Sequence, residues 1–123
     1  MKTILYIEDD RAIGEMYVRS LRRQGHTVAW FVDGLEAQDE LEAKSYDIIL
    51  IDIMLPTLRG SDILTHLRET PGPNRHTPVI VMTNFEQDDT SRHQLEQLAS
   101  AYLMKSETTP RNLLETINYF LSH

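Results

Sequence analysis

The sequence contains no cysteine, so disulfides, thiolate metal sites and thiol nucleophiles are all excluded. It also lacks a long apolar run, because the few apolar residues at 4–7 are followed at once by acids, too few for a signal peptide or a membrane span. Basic residues are sparse, 12 against 19 acidic ones, and the net charge of -7 disfavours direct binding to nucleic acid or to an anionic membrane. We therefore expect a cytoplasmic protein whose partners are a metal cation or a basic surface.

Short β-branched runs alternate with helical patterns over the 123 residues, a length typical of one globular domain. The runs predict five strands, at residues 3–8, 27–32, 47–52, 77–82 and 100–104. Strands that alternate with helices predict an α/β fold, in which a parallel sheet carries helices on both faces. The runs 48–51 and 79–82 are continuously apolar, so we expect these two strands to be central.

Several residues mark the ends of the predicted helices. Gly25 is placed to end the first helix, Asp33 to cap the second, and Thr109 with Pro110 to begin the last. The fourth helix differs, because residues 86–94 are all polar. It is therefore either a locally mobile element with thin core contact or simply an exposed surface helix.

Polar residues with metal-binding and phosphate-binding chemistry stand where four of the predicted strands end. They are Glu8, Asp9, Asp52, Thr83 and Lys105. Because parallel strands end at one edge of the sheet, we expect them to share a crevice. Three carboxylates against one lysine leave a negative excess that a divalent cation would remove. The hard oxygen ligands favour Mg²⁺, with Mn²⁺ as the alternative.

Four segments, at residues 4–10, 51–56, 78–83 and 101–105, resemble the receiver domains of two-component response regulators. The resemblance covers the whole chain and implies a flavodoxin-like, doubly wound (βα)5 sandwich. Its five-stranded parallel sheet would have the strand order 2-1-3-4-5. Residues 1–123 would form a single receiver domain, with no output domain present.

The resemblance also implies roles for the acids. Asp52 would accept a phosphoryl group in a histidine-to-aspartate phosphorelay, from a sensor histidine kinase or a histidine phosphotransfer protein. Glu8, Asp9, Asp52 and the backbone carbonyl of Met54 would hold Mg²⁺. The domain would then be a phosphoacceptor that assists its own phosphotransfer and dephosphorylation, rather than an enzyme acting on a separate substrate.

The same resemblance assigns the signalling residues. Thr83 and Lys105 would contact the phosphoryl oxygens, and Thr83 and Tyr102 would rearrange to switch the surface of helix 4, strand 5 and helix 5. The reader of that surface would be a downstream effector protein that the sequence does not identify. The resemblance also leaves room for a weak or phosphorylation-dependent homodimer.

The sequence departs from the receiver pattern next to the lysine and beside the acceptor. Ser106 replaces the proline that typically follows the lysine in a cis peptide, so we predict a trans bond and some displacement of Lys105. Met54 and Phe85 are bulky residues flanking the acceptor, and bulk that hinders attacking water predicts a long-lived phosphoryl group.

Three alternative functions differ from this prediction in what they require of the sequence. A haloacid-dehalogenase-type phosphatase would require a second aspartate at position 54, where this sequence has Met54. A flavodoxin-type binding module would need a phosphate loop after the first strand, but the acids at 8–10 repel phosphate unless a metal is bound. The third alternative, a receiver-like interaction module that is not phosphorylated, stays open because Ser106 could misplace Lys105.

Overall fold

The computed structural model describes residues 2–84 and 89–122, in which strands and helices alternate as predicted. The strands are Thr3–Ile7 (β1), Thr27–Phe31 (β2), Ile48–Ile51 (β3), Val79–Thr83 (β4) and Ala101–Met104 (β5). The helices are Arg11–Arg23 (α1), Gly34–Ala43 (α2), Gly60–Glu69 (α3), Asp89–Leu98 (α4) and Pro110–Ser122 (α5). A short 3₁₀ turn, Lys105–Glu107, connects β5 to α5. Among the described residues, every helix is too short or too polar to traverse a bilayer.

The five strands form one parallel sheet in the order β2-β1-β3-β4-β5, which confirms the predicted topology. β3 is the middle strand and β4 is also interior, and every residue of both is buried. Their continuous apolar runs follow from this position, because helices cover both faces of the sheet.

The alternation of side chains along each strand divides the core into two layers. On one face of the sheet, Leu5 and Ile7 pack with apolar residues of α2, α3 and α4. On the other face, Ile4 and Tyr6 pack with apolar residues of α1 and α5. The residues that carry chemistry lie at the ends of the strands and belong to neither of the two apolar layers.

The predicted helix ends are confirmed. Gly25 follows α1 with a φ of 89°, a left-handed conformation that glycine adopts without strain. The Asp33 side chain accepts a hydrogen bond from the Leu35 amide at 2.9 Å and so caps α2. Thr109 caps α5, because its hydroxyl accepts a hydrogen bond from the Asn112 amide at 3.1 Å.

The core contact of α4 is thin, as its polar sequence predicts. Of the side chains that the structure describes in this helix, at residues 90–98, only that of Leu95 is fully buried. Leu98 is partly buried against the same core layer. Residues 86–88 of the predicted polar segment lie outside the described residues, and the predicted mobility of the helix stays a prediction.

The edge of the sheet where the strands begin is fastened by Asn74, which is completely buried. Its side-chain carbonyl accepts a hydrogen bond from the Tyr46 amide at 2.8 Å. Its amide group donates to the carbonyls of Leu41 and Lys44, each at 2.7 Å. These three hydrogen bonds connect the segment between α3 and β4 to the end of α2 and to the segment that precedes β3, at the end of the sheet remote from the acids.

Candidate functional site

The carboxyl ends of β1, β3, β4 and β5 converge on an open cleft of about 430 Å³. This confirms that the polar residues at four strand ends share one crevice. The cleft is lined by Glu8, Asp9, Asp10, Ile13, Asp52, Met54, Thr83, Asn84 and Lys105. Of the predicted site residues, only Tyr102 does not line it.

Three carboxylates meet in this cleft. Glu8, Asp9 and Asp52 each offer an oxygen, and these oxygens lie within 4.8 Å of one another. Glu8 is completely buried and Asp52 is 6% exposed, whereas Asp9 is open to solvent. Because like charges this close repel strongly, the cluster favours a bound cation, and its all-oxygen ligands suit Mg²⁺.

Lys105 supplies the positive charge that the structure places among these acids. Its Nζ donates a hydrogen bond to Asp52 Oδ2 at 2.8 Å and also forms an ion pair with Glu8. Burial alone would lower the pKa of Lys105, but the hydrogen bonds and charges of Asp52 and Glu8 outweigh burial and raise it. The ammonium therefore stays protonated at neutral pH.

The peptide bond between Lys105 and Ser106 is trans, as predicted. The predicted displacement of Lys105 stays a prediction, and the ammonium contacts Asp52 directly. A chain without proline at this position can therefore still bring the lysine to Asp52. The side chain of Lys105 is long enough to reach Asp52 from a trans turn.

Glu8 is surrounded by donors from the protein itself. One carboxylate oxygen accepts from the Tyr6 hydroxyl at 3.3 Å and pairs with Lys105, and the other accepts from the Asp10 amide at 3.2 Å. Burial raises the pKa of Glu8, and the contacts with Lys105 only partly oppose this. Tyr6 was not among the predicted site residues, although residues two apart along a strand share a face and its spacing from Glu8 is a signal for it.

Asp52 is held by backbone groups on both sides. The Asp52 amide donates to the Ile7 carbonyl at 3.2 Å, and Asp52 Oδ1 accepts from the Met54 amide at 3.1 Å. Gly60 begins α3 directly against this turn, and a Cβ there would lie 2.0 Å from the Asp52 carbonyl oxygen. The sequence alone does not indicate this approach of Gly60 to Asp52, because it depends on the folded path of the chain.

Met54, Thr83 and Tyr102 occupy three different environments. Met54 is half-exposed at the cleft, Thr83 is completely buried at the end of β4, and Tyr102 is partly buried on β5. The guanidinium of Arg92 lies 4.7 Å from the centre of the Tyr102 ring. Phe85, predicted to flank the acceptor with Met54, lies outside the described residues. The hindrance predicted for these two side chains stays a prediction.

The sequence and the fold were compared with those of known proteins. Residues 4–118 match the family model described as "Response regulator receiver domain". The response regulator protein PmrA of Pseudomonas aeruginosa is 35% identical over 102 residues, and the transcriptional regulatory protein QseB of Escherichia coli O157:H7 is 33% identical over 102 residues. Each of these alignments covers 83% of this chain and 45% of the relative, so the chain spans less than half the length of these curated relatives.

Solved structures agree with the sequence comparisons. A CheY-like response regulator receiver domain protein from Methanospirillum hungatei JF-1 has a TM-score of 0.88 and 29% identity, covering 99% of this chain and 94% of that chain. The receiver domain of the sensor histidine kinase PA1611 from Pseudomonas aeruginosa PAO1, described with a magnesium ion in its active site cleft, has a TM-score of 0.87 and 25% identity, covering 99% of this chain and 98% of that one. The matched residues, the sheet order and the acidic cleft agree, and the chain belongs to the response regulator receiver domains of two-component systems.

Proposed function

We propose that Asp52 accepts a phosphoryl group from a phosphohistidine of a sensor histidine kinase or of a histidine phosphotransfer protein. The observation that carries this proposal is the contact of 2.8 Å between Asp52 Oδ2 and Lys105 Nζ, inside a cleft with two further carboxylates. A carboxylate nucleophile beside fixed positive charge has the chemistry that phosphoryl transfer requires. In this proposal the chain is a phosphoacceptor that assists its own reactions.

The residues of the cleft fit a magnesium ion. Asp9 and Asp52 are the best candidates for direct ligands, because both oxygens of Glu8 already accept hydrogen bonds from the protein. Glu8 would then contribute mainly its charge, and the Met54 carbonyl would complete the protein's share of the ligands. When bound, the ion neutralises the oxygens of the transferring group, and Mn²⁺ meets the same oxygen chemistry.

Several residues of the cleft would have separate roles in the transfer of the phosphoryl group. An oxygen of Asp52 forms a bond to phosphorus as the bond from phosphorus to the donor imidazole nitrogen breaks, and the electron pair stays on that nitrogen. The Met54 amide fixes Asp52 Oδ1, which leaves the other oxygen facing Lys105. Lys105 and the Thr83 hydroxyl would receive the phosphoryl oxygens, because both line the same cleft.

The phosphorylated cleft would carry about one more negative charge than before, which strengthens the attraction of Thr83 and Lys105. Thr83 ends β4, and the thinly packed α4 follows it in the chain. A shift of Thr83 would change the surface formed by α4, β5 and α5, where Tyr102 lies under Arg92. An effector protein would read this surface, and a weak or phosphorylation-dependent homodimer stays a prediction.

Intact-mass measurement after incubation with acetyl phosphate and Mg²⁺ tests the proposal. The wild-type chain should gain the mass of one phosphoryl group, and Asp52→Asn should gain none. Asp39→Asn, which changes an exposed aspartate on α2, is the matched control and should be modified like the wild type. Chelation of the metal with EDTA should abolish the gain in all variants.

The unphosphorylated interaction module remains the alternative function. A misplaced Lys105 would favour this alternative, and the direct contact of Lys105 with Asp52 supports the phosphorylated receiver instead. A wild-type chain that gains no mass while folded and saturated with Mg²⁺ would favour the interaction module. A gain that persists in Asp52→Asn would show that the acceptor has been assigned to the wrong residue.

A further inference from the structure

Two buried tyrosines, Tyr6 on β1 and Tyr17 on α1, lie beside the cleft on the face of the sheet covered by α1 and α5. They are 1% and 2% exposed, and their rings meet edge to face with centres 6.4 Å apart. A phenol in an apolar core costs free energy unless its hydroxyl is hydrogen-bonded. Both hydroxyls have partners, and both partners belong to the surroundings of Lys105.

The Tyr6 hydroxyl acts at the charged end of the lysine. It donates to Glu8 Oε1, the same oxygen that forms the ion pair with Lys105 Nζ. The Asp10 amide holds the other oxygen of Glu8. The carboxylate of Glu8 is thereby fixed from two directions, and with it the position of the lysine ammonium.

The Tyr17 hydroxyl acts at the backbone end of the lysine. It donates to the Thr108 carbonyl at 3.2 Å across 91 residues of sequence. The Thr108 hydroxyl donates to the Met104 carbonyl at 2.7 Å, and the Thr108 amide donates to the Lys105 carbonyl at 3.2 Å. These bonds enclose the turn that contains Ser106, where the chain has no proline ring to stiffen it.

We propose that Tyr6 and Tyr17 are positioning residues for Lys105, Tyr6 through Glu8 and Tyr17 through the turn that ends at Thr108. A lysine side chain has four rotatable bonds and loses considerable entropy when held in one conformation. Fixing both ends of the residue reduces the freedom that remains to be lost when Lys105 meets a phosphoryl oxygen. The inference rests on the proposed phosphorylation of Asp52.

Tyrosine-to-phenylalanine variants test the inference, because they remove a hydroxyl and leave the ring. Tyr6→Phe and Tyr17→Phe should each lower the rate of phosphorylation at saturating acetyl phosphate and Mg²⁺ by about threefold to tenfold, the effect of one net hydrogen bond. Tyr46→Phe is the matched control, since its hydroxyl bonds Glu40 and the residue precedes β3 at the opposite edge of the sheet. It should leave the rate unchanged.

The same variants in a Lys105→Met background separate positioning from general destabilisation. If the tyrosines act through Lys105, removing their hydroxyls should produce no further loss of rate once the lysine is gone. Unfolding experiments on each variant record any loss of stability, which should persist in this background. An equal further loss of rate with and without Lys105 would overturn the inference.

The ammonium of Lys105 can also be observed by NMR without any phosphorylation. In the wild type its protons should exchange slowly with water, because Asp52 and Glu8 hold them. Exchange should accelerate in Tyr6→Phe and Tyr17→Phe but not in Tyr46→Phe, and an unchanged signal in both test variants would overturn the inference. A wild-type chain that takes up no phosphoryl group would contradict the proposed function, and the ammonium signal would still decide the positioning.

Discussion

Gly60 is the residue whose missing side chain lets α3 begin against the backbone of Asp52. A Cβ at this position would meet the backbone oxygen of Asp52 at 2.0 Å, and backbone cannot yield as a flexible side chain can. Gly60→Ala should therefore lower the free energy of unfolding by about 1–3 kcal/mol. It should also slow phosphorylation of Asp52. Urea unfolding and the mass assay measure the two effects.

Gly72→Ala is the matched control for this prediction. Gly72 lies in an exposed turn, and a Cβ there would meet no atom within 4 Å. Its stability should stay within about 0.5 kcal/mol of the wild type. Equal stabilities of the two alanine variants would show that the turn at Asp52 can move aside.

Asp47 gives the chain a pH-dependent stability away from the cleft. Its carboxylate accepts hydrogen bonds from the Thr3 amide at 2.8 Å and the Thr3 hydroxyl at 3.0 Å, and these lower its pKa below the usual 3.8. A lowered pKa stabilises the folded state above the unfolded-state pKa, and the contribution is lost as the pH falls through the folded-state value. Because Asp47 is exposed and water screens its charge, we expect the free energy of unfolding of the wild type to exceed that of Asp47→Ala by only about 1 kcal/mol at neutral pH.

This advantage should shrink as the pH falls below the usual aspartate pKa, at about pH 4 and lower. Urea unfolding of both proteins across this range measures it. If the difference in free energy of unfolding stays constant down to about pH 3, the ionised form of Asp47 does not stabilise the folded state more than the protonated form does.

Side-chain chemistry at the strand ends could be predicted because residue type and strand position together specify it. Glu8, Asp9, Asp52, Thr83 and Lys105 line the cleft as expected. The donors that immobilise Glu8 could not be predicted in the same way, because hydrogen-bonding geometry depends on how neighbouring strands and turns pack. The proposed role of Met54 as a ligand came only from the family resemblance, because a backbone carbonyl carries no side-chain signature in the sequence.

At the scale of elements, periodicity identified every strand and most helix ends, but strand boundaries shifted by one or two residues. The fourth strand was expected at 77–82 and is Val79–Thr83. Pro78 has no amide hydrogen to donate to a neighbouring strand, which explains the later start. Glu8 and Asp52, expected as the last strand residues, follow strands that end at Ile7 and Ile51, which frees their side chains for the cleft.

The thin core contact of α4 predicts local opening. Leu95 is its one fully buried side chain among residues 90–98, whereas α5 buries Leu113 and Ile117. Amides in α4 should therefore exchange faster than those in α5. Binding of beryllofluoride with Mg²⁺, which mimics the phosphoryl group, should change exchange in α4 and leave α2 unchanged. Hydrogen-exchange mass spectrometry measures both helices in one experiment.

Two outcomes of the hydrogen-exchange experiment would contradict this prediction. Exchange in α4 that does not respond, in a protein shown by fluorescence or NMR to hold the mimic, would contradict a switch that passes through this helix. A change that is as large in α2 as in α4 would indicate general stabilisation of the domain by the ligand.

For the molecule as a whole, the cluster of acids should couple metal binding to stability. A ligand that binds only the folded state at ten times its dissociation constant adds about 1.4 kcal/mol to the free energy of unfolding. Saturating Mg²⁺ should thus raise the melting temperature by several degrees, and EDTA should reverse the rise. Asp9→Asn and Asp52→Asn should lose most of this response, while Asp39→Asn keeps it.

Equal melting temperatures with and without Mg²⁺ would contradict a metal site in this cleft. The same would follow if Asp39→Asn weakened the response as much as Asp9→Asn, because Asp39 lies on α2 and is absent from the cluster.

The overall topology could be predicted from the sequence. Parallel strands joined by helices allow few arrangements, and the buried runs of β3 and β4 identify the interior of the sheet.

The buried Asn74 fastens the sheet at the edge where the strands begin, and the acids lie at the edge where they end. The buried Asn74 network and the acidic cleft therefore lie at opposite poles of the molecule. A stabilising substitution or a fluorophore at the Asn74 pole would leave the residues of the cleft unchanged. The domain therefore offers a labelling position that is separated from the acidic cleft by the length of the sheet.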